Sequence, residues 1–331
     1  MKRKNLKISF VLLLILTIGY GYKVNAQKKE VVHTFENSKV TYPSECVKNR
    51  TLILQPTGNS FAKEKVYNPT VIASGDSLHM IYRAEGVGTH SGVFALAYSK
   101  DGINFDQYSK NPFMRSDAGE IGIEDPRVVK YGDNYYLFYI VNLGTRASIQ
   151  IATSTNLRNW EKQGEILHIR NKWEKKQIKA PAPVPQKINN KYWCYYQGEK
   201  EPWKTKMGIA VSDDLVSWIQ MEKPVLLPRK NYFDSWGTEP EVAVIVKQGI
   251  LLLYAGWGGD GTCLNKMGWA LFDKNDPTKV IKRCKEPIVA LNDGHIFGEG
   301  LEFFNGEWKL YYSARDQWIE GVTLDIDELL K

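Results

Sequence analysis

Histidine and cysteine are scarce in this sequence of 331 residues, which contains five and four of them, respectively. No Cys-x-x-Cys pair and no histidine cluster occurs, so the spacing that zinc sites require is missing, and we expect neither a metal nor a cofactor. Cys46, Cys194, Cys263 and Cys284 allow three pairings. The preferred one joins Cys263 to Cys284, because these two flank one predicted hairpin.

A sustained helical period and a long apolar run are also missing. The only helical signal is a short turn at 325–330, and the apolar run at 8–18 is shorter than the roughly 20 residues that span a bilayer. Basic residues precede this run and small residues follow it, which predicts a signal peptide over 1–26 and a secreted or periplasmic chain. The alternative is an uncleaved membrane anchor; after cleavage we expect no stable membrane insertion.

A strong positive charge is missing once this segment is removed. Five basic residues and no acidic ones lie in it, so the net charge of +7 falls to +2 without it. This charge excludes the basic patch that nucleic-acid-binding proteins carry.

A repeat of 57 residues is what the sequence does contain. Proline precedes an apolar strand at Pro69, Pro126, Pro183 and Pro240, and a degenerate fifth copy lies at 299–312. Periods near 50 residues that hold several short strands indicate blades stacked around an axis. We therefore expect an all-β, five-bladed β-propeller over 63–331. A lead-in segment over 27–62 is expected to wrap the propeller or to supply its closing strand.

The repeat also predicts which residues form a site, because equivalent positions of the blades converge on the propeller axis. The pre-proline positions are Asn68, Asp125, Ala182 and Glu239, with Glu299 in the fifth copy. Neighbouring positions and strand ends add Arg83, Glu85, Glu124, Arg127, Lys179, Gln197, Glu199, Glu241, Trp257, Asp260, Arg315 and Asp316. Carboxylates that face one another raise each other's pKa, which suits general acid and base catalysis on a glycosidic bond. Each acidic residue has the alternative role of accepting backbone N–H bonds at its turn.

The string at 122–128, Gly-Ile-Glu-Asp-Pro-Arg-Val, with the aromatic strand at 135–139, resembles the β-mannoside phosphorylases and β-mannosidases of glycoside hydrolase family 130. Segments at 68–85, 273–287 and 311–316 resemble that family in the same order, so the resemblance covers about residues 65 to 327. It implies a five-bladed propeller of inverting enzymes that act on β-mannosidic linkages. Asp125 would be the general acid, working through a sugar hydroxyl. The residues implied to bind the mannose are Asn68, Arg83, Glu124 and Asp316.

Two positions depart from the phosphorolytic members of that family. Gln197 and Ala255 stand where those members hold phosphate with an arginine and a histidine. A phosphate dianion needs charge-assisted hydrogen-bond donors, and Lys179 alone is a poor substitute for them. We therefore expect hydrolysis rather than phosphorolysis of an oligosaccharide with a terminal β-mannose. An inverting hydrolase needs a carboxylate base roughly 6.5–9.5 Å from the acid. Glu239 is the first candidate, ahead of Glu241 and Glu299.

Three other functions stay open from the sequence. One is a β-mannoside phosphorylase, and another is the related propeller family of arabinosidases and xylosidases, where His295 would echo a metal-site histidine. The third is a non-catalytic propeller that captures glycans. Beyond the first sugar, the candidates for an aromatic platform are Trp236, Trp257 and Trp318, with blade packing as the alternative role of each. The sequence leaves the oligomeric state open.

Overall fold

The computed structural model describes residues 33–42, 45–58, 60–88 and 92–331, so the predicted signal peptide lies outside the described residues. The chain divides after Ser38 into two units. The described part of the first, 33–38, forms a turn in which Thr34 N donates to Asn37 Oδ1 at 2.8 Å. Within the described ranges, no helix is long and apolar enough to cross a membrane.

The second unit consists of β-strands with three short helical turns. The strands are β1 (Val40–Thr41), β2 (Val47–Leu54), β3 (Lys65–Ser74), β4 (Ser77–Glu85), β5 (Val93–Ser99), β6 (Asp106–Gln107), β7 (Gly122–Tyr131), β8 (Asn134–Asn142), β9 (Ala147–Ser154), β10 (Glu161–Leu167), β11 (Gln177–Pro183), β12 (Tyr192–Glu201), β13 (Lys204–Ser212), β14 (Trp218–Gln220), β15 (Gly237–Val246), β16 (Gly249–Trp257), β17 (Lys266–Phe272), β18 (Val280–Arg283), β19 (Ala290–Leu291), β20 (Ile296–Phe304), β21 (Glu307–Ala314) and β22 (Trp318–Leu324). Two 3-10 turns, Ser60–Ala62 and Lys172–Glu174, and the helix α1 (Ile326–Leu329) complete it. The short helix falls where the sequence predicts a turn.

Five four-stranded antiparallel sheets form the blades of a propeller, which confirms the predicted all-β, five-bladed architecture. Blades 1 to 4 are β3–β6, β7–β10, β11–β14 and β15–β18, and blade 5 has the order β2-β22-β21-β20. Each blade has one inner strand, which is its first strand in blades 1 to 4 and β20 in blade 5. Neighbours in the order β3, β7, β11, β15 and β20 contact each other, and β20 contacts β3. These five inner strands surround the central channel.

Blade 5 closes the ring by combining the two ends of the described propeller sequence. Strand β2, from the segment predicted as a lead-in, pairs with β22, which follows the fifth repeat. The pairing is reinforced by Arg50, whose guanidinium donates to both carboxylate oxygens of the fully buried Glu320 at 2.7 and 2.8 Å. Closure of this kind joins the two ends of the described propeller sequence within one sheet.

Aromatic side chains fill the spaces between neighbouring blades. The rings of Phe94 and Tyr139 meet edge to face at 5.9 Å between blades 1 and 2, and those of Phe138 and Trp218 do so at 5.9 Å between blades 2 and 3. Buried tyrosines also satisfy their hydroxyls, as when Tyr311 donates to the Gly102 carbonyl at 2.7 Å. Blade packing is therefore the role of most of the aromatic residues.

The inner strands carry a bulge at the repeated proline, and this corrects one repeat position. Asn68, Asp125 and Ala180 all adopt a left-handed backbone, with φ of 48°, 51° and 51°, and each lies within a register shift. The third copy is therefore Ala180 with Pro181, so the prediction of Ala182 at the pre-proline position is wrong. Pro181 follows Pro126 by 55 residues rather than 57, and a longer connection to Pro240 hides the difference. A bulge re-aims its side chains, which here directs them toward the channel.

The preferred Cys263–Cys284 disulfide is also wrong, since the structure shows both as thiols. Cys284 is buried within blade 4, where its sulfur accepts a hydrogen bond from Trp269 N at 3.1 Å. Cys263 lies in the loop between β16 and β17.

Candidate active site

The central channel opens at one end into a polar cavity of about 440 Å³. Its wall is formed by the inner strands at and before their bulges and by the loops of blades 3 to 5. Ten of the residues selected from the repeat and its strand ends line it, namely Asn68, Arg83, Glu124, Asp125, Lys179, Gln197, Glu199, Glu239, Trp257 and Asp316. The repeat thus located most of the cavity, because its equivalent positions do converge.

Glu124 lies among cationic and polar donors. Lys179 Nζ is 3.2 Å from its Oε2, Asn142 Nδ2 donates to its Oε1 at 3.0 Å, and an Arg83 nitrogen is 3.8 Å away. Burial would raise the pKa of Glu124, but Lys179 and Arg83 outweigh burial, and the pKa lies below its usual value. Glu124 is therefore ionised at neutral pH.

Asp125, the next residue, has the opposite electrostatic character. Its pKa is raised, first by burial and then by the neighbouring Glu124 carboxylate, against the lowering effects of Arg127, Lys179 and Arg83. A carboxyl with a raised pKa next to one that is ionised is the arrangement that general acid catalysis requires.

Arg83 and Asp316 bring unsatisfied polar atoms to the cavity. Among the described residues, the buried Arg83 Nε and Asp316 Oδ1 have no hydrogen-bond partner. Burial raises the pKa of Asp316, although His295, Arg83 and Lys65 oppose it. Leaving buried polar atoms unpaired is costly, so a site that tolerates them is suited to a hydroxyl-rich ligand that pairs with them.

Glu85 supports this wall from behind rather than lining it. Tyr67, which does line the cavity, donates its hydroxyl to Glu85, and an Arg83 nitrogen lies 3.2 Å from the same carboxylate. Arg83 also covers the Tyr67 ring, with 4.8 Å from its guanidinium carbon to the ring centre. Glu85 therefore orients Arg83 and does not itself line the cavity.

The three candidate bases are not equivalent. Glu239 faces the cavity, but burial and then the charge of Asp125 raise its pKa to about 8, so it carries a proton at neutral pH. Glu241 is fully buried, and its carboxylate accepts the Gly298 N–H. Glu299 is buried too, and its Oε1 accepts from Asn68 Nδ2 at 2.9 Å. None of the three presents an ionised carboxylate to the cavity.

Arg127 joins Glu241 and Glu299 in a floor beneath the cavity. Its Nε donates to the Glu241 carbonyl oxygen, and its Nη2 lies 2.8 Å from Glu299 Oε1. Burial, only partly offset by Arg127, raises the pKa of Glu299 to about 8. These residues were predicted to contact substrate or, for Glu241, to act in catalysis; the structure instead places them where they hold Asn68 and the inner strands.

Four further predicted residues lie elsewhere. Asp260 is exposed and pairs with Lys266 at 2.6 Å, and Arg315 pairs with Asp293. Trp318 is buried in blade 5, where its Nε1 donates to Glu320 at 2.7 Å. Trp236 does not line the cavity, and Lys204 Nζ lies 4.1 Å from its ring centre. Sequence position alone could not separate these from true wall residues, since strand-end loops fold in more than one direction.

The wall also contains residues that the repeat did not select, Lys176 among them. On the paired strands β11 and β12, Lys179 lies opposite Gln197 and Gln177 lies opposite Glu199, with 3.4 Å between Lys176 Nζ and Glu199 Oε1. His295 accompanies them, and its Nδ1 is 2.8 Å from Asn265 Oδ1. In the part of the chain that the structure describes, no group of His, Cys, Asp and Glu has the arrangement of a metal site. His295 thus has a local hydrogen-bonding role.

The fold and the cavity define a β-propeller with a carboxyl-rich site on its axis. The chain belongs to glycoside hydrolase family 130, because the family model, described as β-1,4-mannooligosaccharide phosphorylase, matches residues 27–330. This confirms the resemblance found in the sequence. Members of this family are enzymes that act on β-mannosides.

Three relatives illustrate the similarity. A 1,2-β-oligomannan phosphorylase of Thermoanaerobacter sp. (strain X514) is 33% identical over 85% of this chain and 97% of its own length. A β-1,2-mannobiose phosphorylase of the same strain is 30% identical over 86% and 97%. One solved structure comes from work on this family of mannoside phosphorylases, which contains glycoside hydrolases that target β-1,2-mannosidic linkages in Candida mannan. It has a TM-score of 0.72 at 26% identity over 86% and 93% of the two chains.

The two phosphorylase relatives overturn the expectation of hydrolysis rather than phosphorolysis. That expectation rested on Gln197 and Ala255 and on Lys179 as the sole cation available for phosphate. The structure shows the physical reason for the error, since Arg83 and Lys176 line the same cavity as Lys179. The cavity wall therefore contains two cations besides Lys179.

Proposed function

We propose that the protein is a β-mannoside phosphorylase that removes terminal mannose from a β-1,2-linked manno-oligosaccharide. The observation that carries this proposal is the similarity of 85–86% of this chain to two phosphorylases, and the pKa of Glu239, raised to about 8 by burial, agrees with it. Hydrolysis with inversion needs an ionised base to activate water, whereas phosphate is already an anionic nucleophile. The linkage follows the two phosphorylase relatives, which are named for β-1,2-linked substrates.

Asp125 is the proposed general acid. A phosphate oxygen forms a bond to the anomeric carbon while the bond from that carbon to the leaving oxygen breaks. The proton of Asp125 passes through a sugar hydroxyl to the leaving oxygen, and the products are α-mannose 1-phosphate and the shortened oligosaccharide. The raised pKa of Asp125, caused by burial and by Glu124, keeps this proton available.

The charges of the cavity wall support the binding of phosphate. Arg83, Lys176 and Lys179 are cationic, and Lys176 and Lys179 pair with the carboxylates Glu199 and Glu124. Burial raises the pKa values of Asp125, Glu239 and Asp316, which favours the neutral forms of these three wall carboxyls. The three cations of the wall are therefore available to an anionic co-substrate.

Mannose recognition is assigned to the inner end of the cavity. The unpaired Arg83 Nε and Asp316 Oδ1 offer one donor and one acceptor to sugar hydroxyls. Asn68 adds an amide whose orientation is set by Glu299. Together these groups match a ring with several hydroxyls better than an apolar ligand.

The test is product analysis on β-1,2- and β-1,4-mannobiose with and without phosphate. We expect mannose 1-phosphate from the β-1,2 isomer and only when phosphate is present. The Glu239→Gln variant should keep phosphate-dependent turnover within about tenfold, because an amide still donates a hydrogen bond as a protonated carboxyl does. Free mannose formed without phosphate, and lost in Glu239→Gln, would contradict the proposal.

We also propose that the mature chain is exported. The family match begins at residue 27, directly after the predicted cleavage point at Ala26. Expression in a bacterial host should yield a periplasmic or extracellular protein whose first residue, read by N-terminal sequencing, is Gln27. A full-length chain in the cytoplasm would contradict it.

A further inference from the structure

The turn between β12 and β13 carries a tryptophan in a conformation that usually belongs to glycine. Glu201 pairs with Lys204 across this hairpin, which leaves Pro202 and Trp203 as its two turn residues. Proline holds its own φ near −65°, and Trp203 has a φ of 63°. This combination is typical of a type II turn, where glycine is favoured at the third position because L side chains are strained there.

Trp203 does not gain burial in exchange for this strain. Its side chain is 55% exposed, and Pro202 and Trp203 both line the rim of the cavity. A bulky residue in a left-handed conformation persists only where neighbours hold it, and such positions cluster at ligand sites.

Two buried neighbours hold the turn in place. The Glu199 carboxylate accepts a hydrogen bond from Trp203 N at 2.8 Å, and Trp257 Nε1 donates to the Trp203 carbonyl oxygen at 2.9 Å. Trp257 is itself fixed against Gly237, where any Cβ atom would overlap its ring. The indole of Trp203 is thus presented from a rigid support.

We infer that Trp203 is the stacking platform for the second sugar of the substrate, the one that leaves with the glycosidic oxygen. This inference rests on the proposed function, which places mannose at the inner end beside Arg83, Asp125 and Asp316. The next ring along the chain then meets the rim. An indole face matches the C–H face of a pyranose, and the hydroxyl edges of that ring remain free for Gln177 and Lys176 on the same wall.

The decisive variant is Trp203→Gly, because it separates folding from binding. Glycine relieves the strain of the turn, so the melting temperature should stay level or rise, while the platform is lost. In the synthetic direction, we expect the KM for the acceptor sugar to rise about tenfold and the KM for mannose 1-phosphate to stay within about twofold. Trp203→Phe should recover most of the acceptor affinity.

The matched control is Phe303→Ala, which truncates another exposed aromatic, 53% exposed and remote from this cavity. It should leave both KM values unchanged. An unchanged acceptor KM in Trp203→Gly would overturn the inference while leaving the proposed function intact. If the wild-type chain makes no mannose 1-phosphate, the proposed function fails, and calorimetry with β-1,2-mannobiose then decides. A tenfold weaker Kd in Trp203→Gly would support the platform, and an unchanged Kd would overturn it.

Discussion

Two cavities of similar size, about 440 and 380 Å³, open at opposite ends of the same channel. The first is walled by ionisable groups, three of them cations, and contains unpaired polar atoms. The second is lined by the halves of the inner strands that follow the bulges, where apolar residues such as Val71, Val129, Val244 and Leu301 outnumber the ionisable residues Arg127, Lys130, Glu241 and Glu302. Volume therefore does not distinguish a site from a channel mouth, whereas the chemistry of the wall does.

The floor of Arg127, Glu241 and Glu299 separates the two ends. It lies at the bulges, where each inner strand changes from polar residues facing one end to apolar residues facing the other. Contacts with Glu299 and with the Glu241 carbonyl oxygen give the buried Arg127 guanidinium polar partners in the interior. A propeller thus builds a reactive end and an inert end from the same strands.

The largest expected effect comes from removing the acid at the reactive end. Asp125→Asn should lower kcat about 10³-fold, since the amide has no proton to transfer. Release of mannose 1-phosphate at saturating phosphate measures it. The control is Asp260→Asn, which removes an exposed carboxylate outside the cavity and should stay within about twofold. Activity of Asp125→Asn above a tenth of wild type would show that another group supplies the proton.

A smaller effect is expected from removing a cation at the reactive end of the channel. Lys179→Met should raise the KM for phosphate about 10- to 100-fold, because a charge-assisted contact to phosphate is worth about 1.5–3 kcal/mol. Initial rates at varied phosphate measure it. Lys191→Met is matched to it, since Lys191 pairs with Asp213 at 2.7 Å away from the cavity. Equal phosphate KM values in both variants would remove Lys179 from the phosphate site.

Two buried carboxyls, Glu239 in the cavity wall and Glu299 in the floor, predict how stability depends on pH. The pKa values of Glu239 and Glu299 are raised to about 8, so the folded chain keeps two protons that the unfolded chain releases near pH 4.5. The stabilisation is complete below about pH 4.5 and is lost as pH rises through 8. Each group loses about 1.4 kcal/mol of stabilisation per pH unit up to its folded pKa, so the melting temperature should fall by several degrees between pH 6 and 9, at about 3 kcal/mol per group.

Glu299→Gln should flatten part of that decline, because the amide does not titrate. The exposed Glu307→Gln is the control and should keep the wild-type slope between pH 6 and 9. Thermal melts at several pH values measure both. A Glu299→Gln slope equal to the wild-type slope would mean that Glu299 does not hold its proton in the folded state.

The smallest effect is expected at the inert end. Burial raises the pKa of Glu302 to about 7, so this residue has the same unusual property as Glu239 but lies at the apolar mouth. Glu302→Gln should leave kcat and both KM values within about twofold. A tenfold loss of activity would break the distinction between the two ends of the channel.

Repeat position predicted the cavity better than residue chemistry did. Asn68, Glu124, Asp125 and Glu239 were predicted from the repeat and do line the wall. Trp203 escaped notice because its signal, a tryptophan after proline in a tight hairpin, has no counterpart in the other blades. The only sequence cue was a turn position where glycine is the usual residue.

The sequence by itself determined the five-bladed architecture, the family and the place of Asp125, because a repeat of short strands around an axis is encoded locally in each copy. Only the tertiary structure decided that Ala180 rather than Ala182 is the third bulge residue. The connection from Pro126 to Pro181 is shorter than the repeat and the one from Pro181 to Pro240 is longer, so the sequence spacing hides the shift. It also decided that Glu241 and Glu299 lie beneath the cavity and that Glu239 carries a proton. Burial and the field of neighbouring charges determine these properties, and both exist only once the five inner strands have come together.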